Sequence, residues 1–128
     1  MALRFFLKDR LGLECIEFNE ASQAGNLTVD RLGQMLNEAG FAFIVATGED
    51  KHEDGTLHAR ENVIHEAGLF QARLKFKRAI VLLEAGCAKF SNIHGLTHIE
   101  FPKGHIMAAS EEIRRVLERE GFFAPAAV

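Results

Sequence analysis

The fold is decided by a stretch of sequence that begins Arg60-Glu61-Asn62-Val63-Ile64-His65-Glu66-Ala67-Gly68-Leu69-Phe70. At 100° per residue, Val63, Ala67, Phe70 and Leu74 form one apolar stripe, which predicts an amphipathic helix from about residue 59 to residue 74. A polar loop over residues 47–58 precedes this helix. Continuously apolar runs at residues 41–46 and 78–83 lie on either side of the loop and helix, and they predict parallel strands that are covered on both faces.

Helices and strands also alternate over the rest of the chain. The pattern predicts a helix over residues 2–11, a strand at 13–18, a helix over 29–39, a weaker edge strand at 97–101 and a helix that Ser110 caps and that runs to about residue 120. Such alternation predicts an α/β domain, flavodoxin-like, with a parallel sheet and helices on both faces. We expect one domain over residues 1–128, with residues 122–128 as a frayed tail.

The predicted order of elements leaves one place in the sheet open. A doubly wound domain begins with a strand, whereas this chain begins in a helix, so we expect the first strand to be missing from the chain. An empty slot would leave several buried backbone groups unpaired, at about 1–3 kcal/mol each. Either the strands at 13–18 and 41–46 pair directly, or a second chain or an upstream segment supplies the missing backbone.

Composition excludes several classes of protein. A net charge of −3 with interspersed signs argues against nucleic-acid binding, which needs a basic patch. No apolar window resembles an 18-residue membrane span, and no basic segment precedes an apolar run as in a signal peptide. The two cysteines, Cys15 and Cys87, are expected to be reduced core thiols. We therefore expect a cytoplasmic protein without a membrane partner.

Glu66 is the best candidate for a catalytic residue. It lies about 40° from Phe70 on the helical wheel, at the border of the buried face, and its helix neighbours at three and four residues include no cation. A carboxylate in such a place needs a tertiary partner, water or a ligand. Beside a sugar, it could stabilise the positive charge that develops when a glycosidic bond breaks. The alternatives are a solvated border residue and an ion pair with an arginine of another element.

Four other residues are weaker candidates for substrate binding. Arg60 could bind a phosphate or cap the preceding loop, and these two roles stay open. Asn62 is expected to hold the loop that orients the helix. Glu20 and Asp50 lie in loops that follow predicted strands, so they could line a sugar pocket at the same edge as Glu66, or they could simply be solvated.

Histidines near acidic residues invite a metal site, but their spacing does not support one. His65-Glu66 is not followed by a second histidine at the position that a zinc-protease helix requires, and His52 and His58 belong to no recognised ligand pattern. We therefore expect no metal. Glycine-rich fingerprints of dinucleotide-dependent oxidoreductases and P-loop NTPases are also missing from the sequence.

The segment around Glu66 resembles a known family. Arg60, Asn62, Val63, Glu66, Gly68 and Phe70, followed by the apolar strand before Glu84, are similar to the pattern of the bacterial TIR-like proteins described as predicted nucleotide-binding proteins, which are effector domains in cyclic-oligonucleotide antiphage defence. Ser91–Leu96 and Ile99–Phe101 are similar to a later part of the same pattern. The resemblance extends from Leu3 to about Gly121, in an N-terminally shortened form.

This resemblance implies a TIR-like fold and cleavage of NAD⁺ at the nicotinamide–ribose bond, with Glu66 as the catalytic glutamate. NAD⁺ is then a substrate, and no cofactor is expected. It also implies self-association, because pockets of this type are completed across a subunit contact. Two alternatives stay open: a catalytically inactive, truncated module that binds a nucleotide or a protein, and an enzyme similar to nucleoside deoxyribosyltransferases.

Overall fold

The computed structural model describes residues 2–16, 33–35, 39–90 and 98–122. The chain divides into two compact units, Met1–Gly40 and Phe41–Val128. In the first unit, helix α1 (Ala2–Phe5) continues as a π-helix over Phe6–Arg10, which confirms the helix predicted at residues 2–11. Residues 33–35 are helical, in agreement with the helix predicted there. Ala39, where that helix was predicted to end, is not helical, although its amide donates to the Met35 carbonyl oxygen at 2.9 Å, and residues 29–32 and 36–38 lie outside the described residues.

The strand predicted at residues 13–18 is wrong over its described part, because residues 13–16 are irregular. Gly12 takes a φ of +71° after the π-helix, and the Leu13 amide then donates to the Leu7 carbonyl oxygen at 2.9 Å. This is the arrangement of a helix C-terminus that glycine closes. The Leu13 amide is thus used by the helix end and not by a sheet.

The second unit is built on a parallel sheet, as predicted. Its elements are β1 (Ala42–Ala46), β2 (Asp50–Lys51), β3 (Leu57–His58), α2 (Glu61–Leu74), β4 (Ala79–Glu84), β5 (His98–Phe101), a 3₁₀ helix (Ile106–Ala109) and α3 (Ser110–Arg119). β1, β4 and β5 form a three-stranded parallel sheet in that order, with Ala42 opposite Ala79 and Val81 opposite His98.

Strand β4 is the centre of the core. Ala79 to Leu83 are all buried, on both faces of the sheet, as the continuously apolar sequence predicts. On α2, Ala67 and Phe70 are buried and the helix packs on β1 and β4. Helix α3 buries Ile113 and Leu117, and it lies by the face that carries Ile80 and Ile99. Helices therefore flank the sheet.

Two details of the prediction for the second unit need correction. The loop predicted over residues 47–58 contains a short antiparallel hairpin, in which Asp50 pairs with His58 and Lys51 with Leu57. Ser110 does not cap α3, because the 3₁₀ helix leads directly into it and no side chain caps its first turn. Strand β5, which precedes the 3₁₀ helix in the chain, lies at an edge of the sheet, as expected.

The C-terminal end of α3 is tied to the start of the sheet. The guanidinium of Arg78 donates to Glu120 at 3.1 Å, and its carbon lies 5.5 Å from the centre of the Phe122 ring. Phe122 meets Phe41 edge-to-face at 5.4 Å. These contacts lie at the amino ends of β1 and β4, the opposite edge from the loops that carry the candidate site residues.

None of the helices in the part of the chain that the structure describes is both long enough and apolar enough to cross a membrane.

Gly48 provides the closest approach between two loops of the second unit. A Cβ atom built on it would lie 2.9 Å from the Cβ of Leu57 and 3.7 Å from the Cα of Cys87. We expect Gly48→Ala to lower the free energy of unfolding by about 1–3 kcal/mol, because overpacking forces the backbone of the hairpin to move. Urea denaturation measures the loss. Gly33→Ala is the control: it is helical and has open space around the added carbon, so it should not destabilise the protein and should stabilise it by up to about 1 kcal/mol; a loss equal to that of Gly48→Ala would contradict the close contact.

Candidate active site

Three loops meet at the carboxyl edge of the sheet, where ligands bind in open α/β folds. Thr47 and Gly48 follow β1, the β2–β3 hairpin leads into α2, and Cys87 follows β4. Leu57 forms a parallel bridge with Cys87, and the amide of Ala88 donates to the Leu57 carbonyl oxygen at 2.8 Å. The hairpin is therefore fixed to the end of the central strand.

Helix α2 starts at this edge and carries Glu66 in its second turn. Glu66 is half-buried, and the structure assigns its side chain no hydrogen bond or ion pair with the described residues. Burial raises the pKa of the Glu66 carboxyl, and the neighbouring imidazole of His65 offsets part of that rise. The border position inferred from the helical periodicity agrees with the structure, and no arginine is placed against the carboxylate.

Arg60 is the residue immediately before α2, and it has a partner that the sequence did not indicate. Its guanidinium Nε lies 2.7 Å from the Glu49 carboxylate, and both side chains are about half exposed or more, at 62% and 48%. The pair connects the loop after β1 to the start of α2. Arg60 therefore holds the preceding loop in this structure, one of the two roles left open, and a phosphate would have to compete with Glu49 for it.

The other predicted site residues have different outcomes. Asp50 is exposed on β2, opposite His58, at the carboxyl edge together with Arg60. Asn62 is exposed in the first turn of α2, one turn before Glu66, and among the described contacts its side chain does not hold the loop. Glu20 lies outside the described residues. The structure thus brings Asp50, Arg60, Asn62 and Glu66 to one edge of the sheet.

Sequence analysis missed an ordered polar cluster on the hairpin. The rings of His52 and His58 stack with their centres 3.5 Å apart and an angle of 13° between them. Thr56 Oγ1 lies 2.8 Å from His58 Nε2 and 2.6 Å from Asp54 Oδ1. The Thr56 hydroxyl and amide hydrogen bonds lower the pKa of Asp54. Only the pairing of β2 with β3 brings these residues together, so their spacing in the sequence gave no signal.

Within the described ranges, no three histidine, cysteine or acidic side chains are arranged so that they could hold a metal ion. Cys87 is buried, and burial, as the main cause, raises the pKa of its thiol, so this thiol is a poor nucleophile.

Two surface depressions lie near these elements. One of about 310 Å³ opens on the outer side of α2, where Ile64, His65, Gly68 and Leu69 line it. Glu66 borders this group along the helix but is not among the lining residues. The other depression, of about 330 Å³, lies between α3 and the amino ends of β4 and β5, lined in part by Ile80 and Ile99. Glu66 thus lines neither of these two depressions.

The raised pKa of Glu66 predicts a pH-dependent change in stability. Because the folded pKa lies above the unfolded value, ionised Glu66 costs stability above that folded pKa, and the cost disappears as pH falls to the unfolded value. We expect Glu66→Gln to raise Tm by roughly 1–2 °C at pH 7.5 and not at pH 4, a small effect because the group is half exposed. Scanning calorimetry at both pH values measures it. Glu111→Gln on the exposed face of α3 is the control, and an equal gain there would contradict this interpretation.

Comparison with known proteins places this arrangement in a family. The model of the family described as "CAP12/Pycsar effector protein, TIR domain" matches residues 1–103. The chain is 35% identical over 91 residues to CD-NTase-associated protein 12 of Flavobacterium daejeonense, which covers 66% of this chain and 29% of that protein. It is 34% identical over 88 residues to the Pycsar effector protein XpPycTIR of Xanthomonas perforans, covering 65% of this chain and 29% of that protein.

A third relative, the uncharacterized protein YuaY of Escherichia coli, is 26% identical over 96 residues, which is 71% of this chain and 32% of that protein. The matched region thus spans less than a third of each of these three relatives. The family model, however, covers most of the chain, including β1, α2 and β4 with Glu66. The chain belongs to the TIR-domain family of CAP12 and Pycsar effector proteins.

Proposed function

We propose that this chain binds NAD⁺ and cleaves its nicotinamide–ribose bond, with Glu66 as the catalytic carboxylate. The observation that carries the proposal is the placement of Glu66 in the second turn of the helix that begins at the carboxyl edge of the sheet. Its side chain is half-buried, and no arginine or lysine in the described ranges pairs with it. Membership of an effector TIR family supports it, and so does the family pattern from Arg60 to Phe70.

The chemistry needs little more than this carboxylate and a place for the sugar. When the bond between C1′ of the ribose and the pyridinium nitrogen breaks, its electron pair goes to the nitrogen, and nicotinamide leaves as a neutral molecule. A general acid is therefore not needed. The ribose develops oxocarbenium character, which the carboxylate stabilises. A water oxygen then bonds to C1′ and loses a proton, which gives ADP-ribose.

Three features of the edge fit the remaining parts of the dinucleotide. Arg60 and the amino end of α2 offer positive charge and backbone donors for a pyrophosphate. Asn62, one turn before Glu66, and Asp50 on the hairpin offer polar groups for ribose hydroxyls. Since Glu66 lines neither of the two depressions described above, a second copy of the chain is proposed to cover the substrate, in a cytoplasmic effector of antiphage defence.

A second candidate function is nucleotide binding without catalysis. It is favoured by the absence of Glu66 from the lining of the depression beside α2. In that case, the same residues bind a nucleotide or a protein partner, but no group excludes water from the ribose. No described feature favours the third alternative, a deoxyribosyltransferase-like enzyme.

The direct test is release of nicotinamide from NAD⁺ by concentrated protein, followed by chromatography. We expect Glu66→Gln to lower the rate by at least about 100-fold, as removal of a transition-state charge partner does. Activity should also fall on the acid side at a pH above the ordinary pKa of a glutamate, because burial raises the pKa of Glu66 and the ionised form is needed.

Glu111→Gln is the matched control for the loss of one negative charge, and it should keep full activity. If NAD⁺ binds at high protein concentration but no nicotinamide is released, the non-catalytic alternative is favoured. An active Glu66→Gln variant would refute the role of this residue even if the chain cleaves NAD⁺.

The ion pair between Arg60 and Glu49 makes a separate prediction about binding. Glu49→Gln removes the competitor for the guanidinium, so we expect the Kd for NAD⁺ to fall by roughly 2- to 5-fold, the range that an exposed ion pair provides. Titration calorimetry on the Glu66→Gln background measures it without turnover. Glu100→Gln, which breaks the exposed pair with Lys89 and changes the net charge equally, is the control. Equal gains in both variants would show a general charge effect and not a released Arg60.

A further inference from the structure

The β2–β3 hairpin presents a set of side chains on one of its faces. In an antiparallel pair, alternate residues and directly opposed residues share a face. Asp50 is opposite His58, and the amide of His52 donates to the Thr56 carbonyl oxygen at 2.9 Å. Asp50, His52, Thr56 and His58 therefore point the same way. The stacked rings of His52 and His58 confirm this for two of them.

Hydrogen bonds fix the orientation of the His58 ring. The amide and the hydroxyl of Thr56 both donate to Asp54 Oδ1, at 3.0 and 2.6 Å. Since the hydroxyl proton is directed to the carboxylate, the Thr56 oxygen accepts from His58 Nε2–H at 2.8 Å. His58 thus has a defined tautomer and a defined ring plane, and His52 lies parallel to it. The hairpin carries a preorganised aromatic surface.

One side of this surface is available to a ligand. His52 is exposed, and His58 covers one face of its ring. A planar group can stack on the other face, as bases do on aromatic side chains. The charges around it decide which planar group is suitable. Asp50 shares this face of the hairpin opposite His58, and Asp54 is bonded to Thr56, so these two carboxylates disfavour an anionic group and a neutral ring is accepted.

The distance along the chain fits one end of a dinucleotide. From His58, three residues of extended chain reach the first residue of α2, and five residues of helix then lead to Glu66, which gives at most roughly 18 Å between the two Cα atoms. Arg60 lies between them, at the start of the helix. The chain therefore carries first the stacked rings, then a guanidinium and then a carboxylate. This is the order in which a base, a pyrophosphate and a ribose follow one another in a dinucleotide.

We propose that the stacked imidazoles of His52 and His58 form a subsite for the adenine of the nucleotide, with the base lying on the open face of His52. This rests on the proposed function only in naming a nucleotide as the ligand. Adenine binding at the hairpin does not require that Glu66 cleaves any bond. Sequence resemblance gave no role to either histidine, and neither takes part in the chemistry described above.

The experiment measures binding of adenosine and 5′-AMP to the full chain by proton NMR, with the C–H resonances of the histidine rings as reporters. We expect both ligands to shift the His52 resonances upfield, as a stacked base does, while ribose 5-phosphate does not. His52→Ala should weaken binding of adenosine by roughly 5- to 100-fold, the range of one base–aromatic contact.

His52→Phe is the matched variant, since it keeps an aromatic face without the imidazole nitrogens, and it should bind adenosine within a few-fold of the unchanged chain. It also keeps the proposal testable if His52→Ala loosens the hairpin. His105→Ala, an exposed histidine outside the hairpin, should have no effect.

The proposal is overturned if adenosine does not bind, or if His52→Ala and the unchanged chain bind it equally. It is also overturned if His52→Phe loses as much affinity as His52→Ala. Because adenosine has no nicotinamide, none of these outcomes depends on cleavage of NAD⁺. Adenosine binding without nicotinamide release would support the adenine subsite and contradict the proposed enzyme. Nicotinamide release without adenosine binding would support the enzyme and contradict the adenine subsite.

Discussion

The contact of Gly48 with Leu57 and Cys87 is the constraint on which the candidate site depends. It brings the end of β1, the hairpin and the loop after β4 to van der Waals distance, and there is no space for even one additional carbon. The Leu57–Cys87 bridge then joins the hairpin to the central strand. Four residues after Leu57, α2 begins at Glu61. The position of the helix that carries Glu66 is therefore set from the most buried strand of the core, and not by a free loop.

The carboxylates of Glu120 and Glu66 lie in opposite electrostatic environments. Glu120 accepts hydrogen bonds from Arg78 at 3.1 Å and from Arg119 at 3.0 Å, and the contact with Arg78, above all, lowers its pKa. It is a structural residue that ties α3 to the sheet. Glu66 has the opposite properties: burial raises its pKa, and no arginine or lysine among the described residues pairs with it. Burial disfavours the ionised form of this carboxylate, and the proposed function gives a reason for its presence on the helix.

Sequence analysis predicted the apolar strands, the helix over α2 and the border position of Glu66, because these depend on local periodicity and on burial. It did not predict the hairpin, since its strands have only two residues each and are polar or half-buried. The Glu49–Arg60 pair and the His52–His58 stack could not be predicted for the same reason, because both need the hairpin register. Residues 13–16 are mostly apolar, as in a short strand, yet the Leu13 amide is used to end a helix.

The proposed site combines a helix that is held rigidly by the core with a hairpin whose side chains are exposed and adjustable. Glu66 is on a helix whose buried face packs on two strands, so its backbone is held by the core, as the proposed catalytic role would require. The Glu49–Arg60 pair is exposed and can exchange one anion for another at small cost. The imidazole surface is held by Thr56 and Asp54, which are themselves exposed. A ligand that reached all three would gain most of its orientation from Glu66 and most of its contact area from the hairpin. Under the proposed function, binding therefore depends on the exposed hairpin and Arg60, whereas cleavage depends on Glu66, so the two can be changed by different substitutions.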